Sequence, residues 1–287
     1  KHWNMVLIIL TYDLVIFGTF LTRSGVLSSV HAFAQSAIGP LFFGFIGLTF
    51  FVSLSLLLRR WNELKSNVHM TSLFSREALF LLNNLLFMGI LVVCFWGVIF
   101  PLLSEALGFV GQLIPSLSDV FTGQKVTVGP PYYERATAPL FAGLLLLMGV
   151  APLAAWRHST AKTLGRAIWK PTIASLVVLV LVFLAGVRSW PALLGFWLCA
   201  FVSAVTLYEF WRAAWARSHA QGENFVEALW KLAGRNRRRY GGYIIHLGVA
   251  LIGLGIIGIE VFQTTTQGMV SAGESLSLSG YTFTYEN

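Results

Sequence analysis

The 287 residues are 56% hydrophobic and only 11% charged, whereas a soluble domain carries about a quarter charged residues; composition excludes a soluble globular domain and indicates a multi-spanning membrane protein. The net charge of +8 belongs with loops rich in Lys and Arg on one side of a membrane, so nucleic acid is not expected as a partner. Cys94 and Cys199 lie in apolar runs far from any CxxC spacing; they read as buried small hydrophobes, and no disulfide framework is implied.

A helix crosses hydrocarbon in about 20 mostly apolar residues. Seven stretches qualify, at 4–22, 38–58, 78–100, 137–156, 171–187, 190–210 and 241–262. The predicted fold class is an all-α polytopic membrane protein with about seven transmembrane helices over 1–262. Residues 263–287 are read as the start of an outer-face β-domain. The chain opens at Lys1 without Met or a signal-peptide pattern and ends inside an alternating pattern at Asn287, which predicts a piece of a longer protein.

The first span carries Asp13, an acidic residue at a depth where ionisable groups face protein or a cavity. Two readings stay open there: a hydrogen bond to a neighbouring helix, or a proton- or propionate-linked role. Asn83 and Asn84 in the third span read as interhelical hydrogen-bonding groups. Between 101 and 135 an outer loop is predicted, with apolar amphipathic pieces from Leu102 onward. Its paired prolines, Pro130 and Pro131, are read as blocking helix and holding an extended approach to the fourth span. Tyr132 and Tyr133 beside them suit the aromatic belt, or line an outer site.

Arg188-Ser-Trp-Pro191 makes a tight turn, so the fifth and sixth spans are predicted to form an antiparallel pair. Residues 211–240 read as a basic amphipathic helix at the membrane surface. From Gly273 to Tyr285 the pattern alternates with period two around a glycine, the signature of a β-hairpin. With Lys1 on the cytoplasmic side, 16 of the 20 basic residues fall on that side. This positive-inside bias places the region of His31, the 101–135 loop and the C-terminal tail outside.

Of the six histidines, His2, His69, His158 and His219 fall in charged flanks and read as solvated side chains. His246 lies six residues beyond Tyr240, about 9 Å along a helix at 1.5 Å per residue, inside the hydrocarbon. It is a candidate functional group by position, with a hydrogen bond to another helix as the alternative. Gly242, Ala250 and Gly253 share its face, a small, flat surface that a planar macrocycle or another helix could approach. His31 stands eight residues past Arg23, in a segment whose apolar side is Val26, Leu27, Val30 and Phe33. Residue spacing leaves it either a plain interfacial histidine or a ligand, since imidazole is a good axial ligand of haem iron. Arg23 could hold a carboxylate or propionate nearby.

Three motifs carry a resemblance: GTFLTRSGVLSSVHAFA at 18–34, VGPPYY at 128–133 and YGGYIIHLG at 240–248. In this order they resemble the cytochrome c maturation protein F family, and the likeness runs over essentially the whole chain. The resemblance implies a membrane haem lyase of the bacterial inner membrane, with its catalytic loops on the periplasmic side. His31 then matches an axial ligand of the substrate haem at the outer face, and His246 matches an axial ligand of a resident transmembrane b-type haem. The implied partners are a haem chaperone, thiol-reducing and apocytochrome-binding subunits, and apocytochrome c, whose CxxCH cysteines receive the haem. The family's tryptophan-rich loop, first outer histidine and first transmembrane histidine belong to its N-terminal half and do not occur here; the ten tryptophans are scattered. One ligand of each haem pair is therefore expected in this chain, with the N-terminal half as a further partner. The rival reading is a haem or small-solute transporter subunit, which Asp13 would suit but which usually shows repeats with broken helices. A purely structural assembly subunit is the third.

Overall fold

The structure is a computed structural model and describes residues 1–286 apart from 26–37, 66–71, 73, 115, 117, 118, 120, 121 and 155–159. Its elements run α1 (His2–Ser24), α2 (Ile38–Arg59), α3 (Arg76–Leu113), α4 (Pro130–Val150), a short 3₁₀ turn (Ala151–Leu153), α5 (Ala161–Leu184), α6 (Trp190–Gln221), α7 (Phe225–Arg235), α8 (Arg237–Phe262), β1 (Ser275–Leu278) and β2 (Tyr281–Thr284). Among the described residues seven helices, α1 to α6 and α8, are long and apolar enough to cross a membrane. The chain is an all-α polytopic membrane protein with a small two-stranded sheet at its C-terminal end.

Several helices are longer than their apolar windows. α4 begins at Pro130, not at 137, because Gly129 takes the N-cap and the two prolines occupy the first turn, where a missing N–H loses no bond. The expected extended approach is thus the first turn of a helix. α3 continues through Pro101 to Leu113, absorbing the amphipathic piece read as loop. The predicted helix over 211–240 is three segments: α6 runs on to Gln221, Gly222 ends it in the left-handed region at φ 65°, and Asn224 caps α7 by accepting the Val226 N–H at 3.4 Å. Glycine at this position stops a helix without steric strain.

The described chain forms two compact units, residues 1–69 with 100–126 and residues 70–99 with 127–287. In the first, α1 and α2 are an antiparallel pair. His2 stacks on Trp61 at 4.1 Å at one end, and at the other Gly39 comes so close that an added Cβ would lie 3.0 Å from Ser24 Cα. Between them Thr49 Oγ1 donates to Asp13 Oδ1 at 3.0 Å. Asp13 is therefore hydrogen-bonded to a neighbouring helix.

In the second unit α6 is the central helix, packed by α4, α5, α7 and α8. Its Leu198, Cys199, Phe201, Val202, Val205, Thr206, Glu209 and Ala214 are buried, as expected of a helix apolar around much of its circumference. α5 starts from a reciprocal cap in which the Thr163 N–H donates to Thr160 Oγ1 and the Thr160 N–H donates to Thr163 Oγ1. The turn into α6 is held by Arg188, which donates to the Phe183 carbonyl and lies over its ring. After α8 the β1–β2 hairpin pairs Leu278 with Tyr281 across Ser279 and Gly280.

Candidate functional site

α8 lies on α6 through its small residues. Ala250 is wholly buried, while Ile244, Ile245, Leu251 and Ile252 on the other sides of the helix are exposed. A Cβ added at Gly253 would stand 2.9 Å from Cys199 Sγ, and one at Gly195 would stand 2.6 Å from Ile257 Cδ1. Small residues at such a seam let two helices approach closely in the absence of a hydrophobic driving force between them.

His246 sits on the edge of this seam, half-buried. Its Nδ1 is enclosed and has no hydrogen-bond partner among the described residues. The Tyr243 ring lies 6.5 Å away at 51°. Tyr243 is itself buried, with Phe210 of α6 edge-on at 5.7 Å and Tyr240 at 5.8 Å. One turn further toward the start of α8, Arg239 Nε donates to Tyr243 Oη at 3.2 Å, and Arg239 Nη2 reaches Glu209 Oε2 of α6 at 3.0 Å. Glu209 is 3% exposed and also takes Arg212 Nη2 on Oε1 at 2.7 Å. By sequence pattern Arg212 and Arg239 belong with the cytoplasmic-side basic residues, and Glu209 carries no evident role. The available signal was a lone acidic residue at the end of a long apolar helix, with arginines close by in sequence and again thirty residues on.

The other expected site residues fall as follows. Gly242 has no atom within 4 Å of where its Cβ would be, so its surface is open. Ala250 and Gly253 share the His246 face and meet α6. Arg23 is in the last turn of α1, in the other unit, where a cation complements the helix C-terminus. His31 lies outside the described residues. No group of three or more His, Cys, Asp or Glu able to hold a metal ion occurs among the described residues. A single imidazole with an unpartnered enclosed nitrogen has the chemistry to bind a haem iron.

No family model matches the chain. Curated proteins do, along its whole length: it is 30% identical over 289 residues to the cytochrome c-type biogenesis protein CcmF of Pseudomonas aeruginosa, covering 100% of this chain and 40% of that protein. It is 31% identical over 287 residues to the biogenesis protein ccl1 of Rhodobacter capsulatus, with 99% and 40% covered. With CycK of Bradyrhizobium diazoefficiens the identity is 34% over 262 residues, 88% of this chain and 36% of that one. A solved structure titled Cytochrome c Heme Lyase CcmF superposes with a TM-score of 0.63 at 27% identity, over 98% of this chain and 37% of that chain. The chain thus spans about two fifths of the length of the curated relatives it matches, and it belongs to the CcmF family of cytochrome c-type biogenesis proteins.

Proposed function

We propose that this chain is the C-terminal membrane part of a cytochrome c haem lyase. The observation that carries the reading is the match, in sequence and in backbone, of nearly the whole chain to CcmF proteins, one of them titled a haem lyase. In this reading His246 would hold the iron of a resident b-type haem, with Gly242 the open position on its helix face; Ala250 and Gly253 on that face are taken up by packing on α6. The enclosed, unpartnered Nδ1 supports it, because a buried imidazole normally finds a partner and neutral imidazole is a common iron ligand. When bound, that haem supplies an electron for the iron of the incoming haem.

His31 is an axial ligand of the substrate haem at the outer face, and Arg23 holds a propionate by charge-assisted hydrogen bonds. Each thioether forms by net addition of a cysteine S–H across a vinyl C=C: sulfur and hydrogen end on the two vinyl carbons and no oxidant is consumed. The protein's part is to orient the porphyrin and exclude side reactions. A haem chaperone, thiol-reducing and apocytochrome-binding subunits, and the tryptophan-rich N-terminal half complete the apparatus. The likeness to bacterial CcmF proteins supports an inner-membrane location, and the charge bias of the loops supports catalytic loops and the β1–β2 hairpin on the periplasmic side.

The test uses the full-length protein. His246→Ala abolishes the resident haem absorbance of purified material, whereas His31→Ala keeps that absorbance and loses cytochrome c production. An unchanged haem band in His246→Ala sinks the assignment.

A further inference from the structure

We propose that Glu209 of α6 is a positioning residue for His246, acting through Arg239 and Tyr243. The proposal rests on the reading of His246 as a haem ligand. Arg239, Tyr243 and His246 are spaced i, i+4 and i+7, so they form one stripe on α8. Glu209 anchors that stripe to the neighbouring helix. Its Oε2 accepts from Arg239 Nη2 at 3.0 Å. The same guanidinium donates through Nε to the Tyr243 hydroxyl at 3.2 Å, and the Tyr243 ring forms a wall 6.5 Å from the imidazole. Phe210, the residue after Glu209, closes the other side of Tyr243 at 5.7 Å.

Two physical points favour positioning over a plain staple. First, Glu209 is 3% exposed while its two partners, Arg239 and Arg212, are 54% and 56% exposed. A buried carboxylate whose partners reach solvent in this way is often replaceable by a packed apolar side chain without loss. Stability alone does not call for this charge. Second, Ala250 and Gly253, the next residues of the seam beyond His246, present no side chain long enough to interlock with α6; the interlock on that side is Ile257 against Gly195, about three turns away. Near the imidazole, rotation of α8 about its own axis is resisted from the Glu209 side. Arginine can serve the carboxylate and the phenol together because its donors lie in a fixed planar fork, which lysine lacks.

The experiment takes the full-length, haem-loaded protein with Glu209→Ala, Glu209→Gln, Arg239→Lys and Tyr243→Phe. For each, resident haem per polypeptide, the rate of haem loss to an apomyoglobin scavenger, the midpoint potential and the α-band shape are read alongside membrane abundance and melting temperature. Groups that orient a metal's ligands typically change affinity 10- to 100-fold when removed. Glu209→Ala is therefore expected to hold haem about tenfold more weakly, with a shifted potential and a broadened α band in the molecules that remain loaded. Arg239→Lys and Tyr243→Phe give smaller changes of the same kind. If variants lose abundance or melting temperature but the surviving protein keeps the parent's haem retention, potential and band shape, Glu209 is structural and the proposal fails. Should Glu209→Ala not accumulate, Arg239→Lys and Tyr243→Phe decide by the same criterion. His246→Ala separates the two readings. A haem band retained there overturns the ligand assignment itself; a band lost there, with Glu209 variants unchanged, overturns only the positioning role.

Discussion

Gly253 of α8 faces Cys199 of α6 with no room for a side chain between them: a Cβ at position 253 would stand 2.9 Å from Sγ. Cys199 is fully buried, as is Ala250 one turn earlier on α8. The helix that carries His246 is thus set against α6 by van der Waals contact of small atoms at one end and by the Glu209–Arg239 ion pair at the other. The two restraints differ in kind. The small-residue contact sets how closely the helices approach, and the ion pair ties Arg239 of α8 to Glu209 of α6.

Gly253→Ala is expected to destabilise the α6–α8 pair by about 1–3 kcal/mol, the usual penalty for an extra methyl in a well-packed site. Cys199→Ala removes the opposing sulfur and makes room. The double variant should therefore be more stable than the sum of the single changes, a coupling of at least about 0.5 kcal/mol. Equilibrium unfolding of the purified protein in mixed micelles measures the cycle. Strict additivity would show that the two residues do not share this space.

Thr49→Val is expected to weaken the α1–α2 pair by well under 1 kcal/mol. Hydrogen bonds between transmembrane helices average about 0.6 kcal/mol and reach about 1.7. The lower figure applies here because the single Thr49 hydrogen has three acceptors near 3.0 Å: Asp13 Oδ1 and the carbonyls of Phe45 and Ile46. Asp13→Asn, which keeps an acceptor oxygen, should be close to neutral. The Asp13→Leu/Thr49→Val double variant should recover what Thr49→Val loses, since it leaves no carboxyl without its donor. A loss of several kcal/mol in Thr49→Val alone would contradict the shared-donor geometry.

The apolar runs and the hairpin could be read from residue pattern alone, because both depend on local periodicity. The helix ends could not. Pro130 looks like a breaker by composition, yet after Gly129 it stands at the one place where a helix tolerates it. Gly222 was overlooked inside a stretch whose Trp, Arg and Lys content suggested one continuous helix. His246 stood out because ionisable residues are rare in spans, but its surroundings depend on which face of α6 meets α8. Nothing near position 246 in the sequence announces Glu209, which belongs to another helix. The roles of Gly242, Ala250 and Gly253 were likewise ambiguous, since a surface smooth enough for a macrocycle is also smooth enough for a helix.

Gly280→Ala is expected to loosen the C-terminal hairpin. Ser279 and Gly280 both have positive φ, 49° and 86°, the combination of a type I′ turn, which matches the twist of the paired strands. A side chain forced into the left-handed region at Gly280 costs roughly 1–2 kcal/mol, a factor of about 5–30 in the opening equilibrium. The amides to follow are Gly273, which donates to the Tyr285 carbonyl at 2.7 Å, and Tyr285, which donates to the Glu274 carbonyl at 3.0 Å. Their hydrogen exchange should accelerate by that factor while amides of α8 stay unchanged. Equal exchange in parent and variant would rule out the turn as what closes the hairpin.

The elbow between α6 and α7 should loosen on acidification, and the sign follows from its ion pairs. Glu223 accepts from Arg217 Nε at 2.9 Å and Nη2 at 3.2 Å and from Lys231 Nζ at 2.9 Å. The Arg217 hydrogen bond first, and Lys231 after it, hold the Glu223 carboxyl below the usual carboxylate range. Lys231 is held above its ordinary value, by Glu227 first and then Glu223. A carboxyl with a depressed folded pKa contributes order that is fully present above its unfolded value, about 4.3, and is lost as pH falls through the lower folded value. For Lys231 the contribution is full below about 10.4 and is lost as pH rises through the higher folded value. Exchange protection of the first turn of α7, or the mobility of a spin label at position 230, should therefore be flat between about pH 5 and 10 and fall at either end. Glu223→Gln removes the carboxylate, so the acid limb should vanish and the plateau drop to a lower level at neutral pH. An acid limb that persists in Glu223→Gln would place the titrating group elsewhere on the elbow.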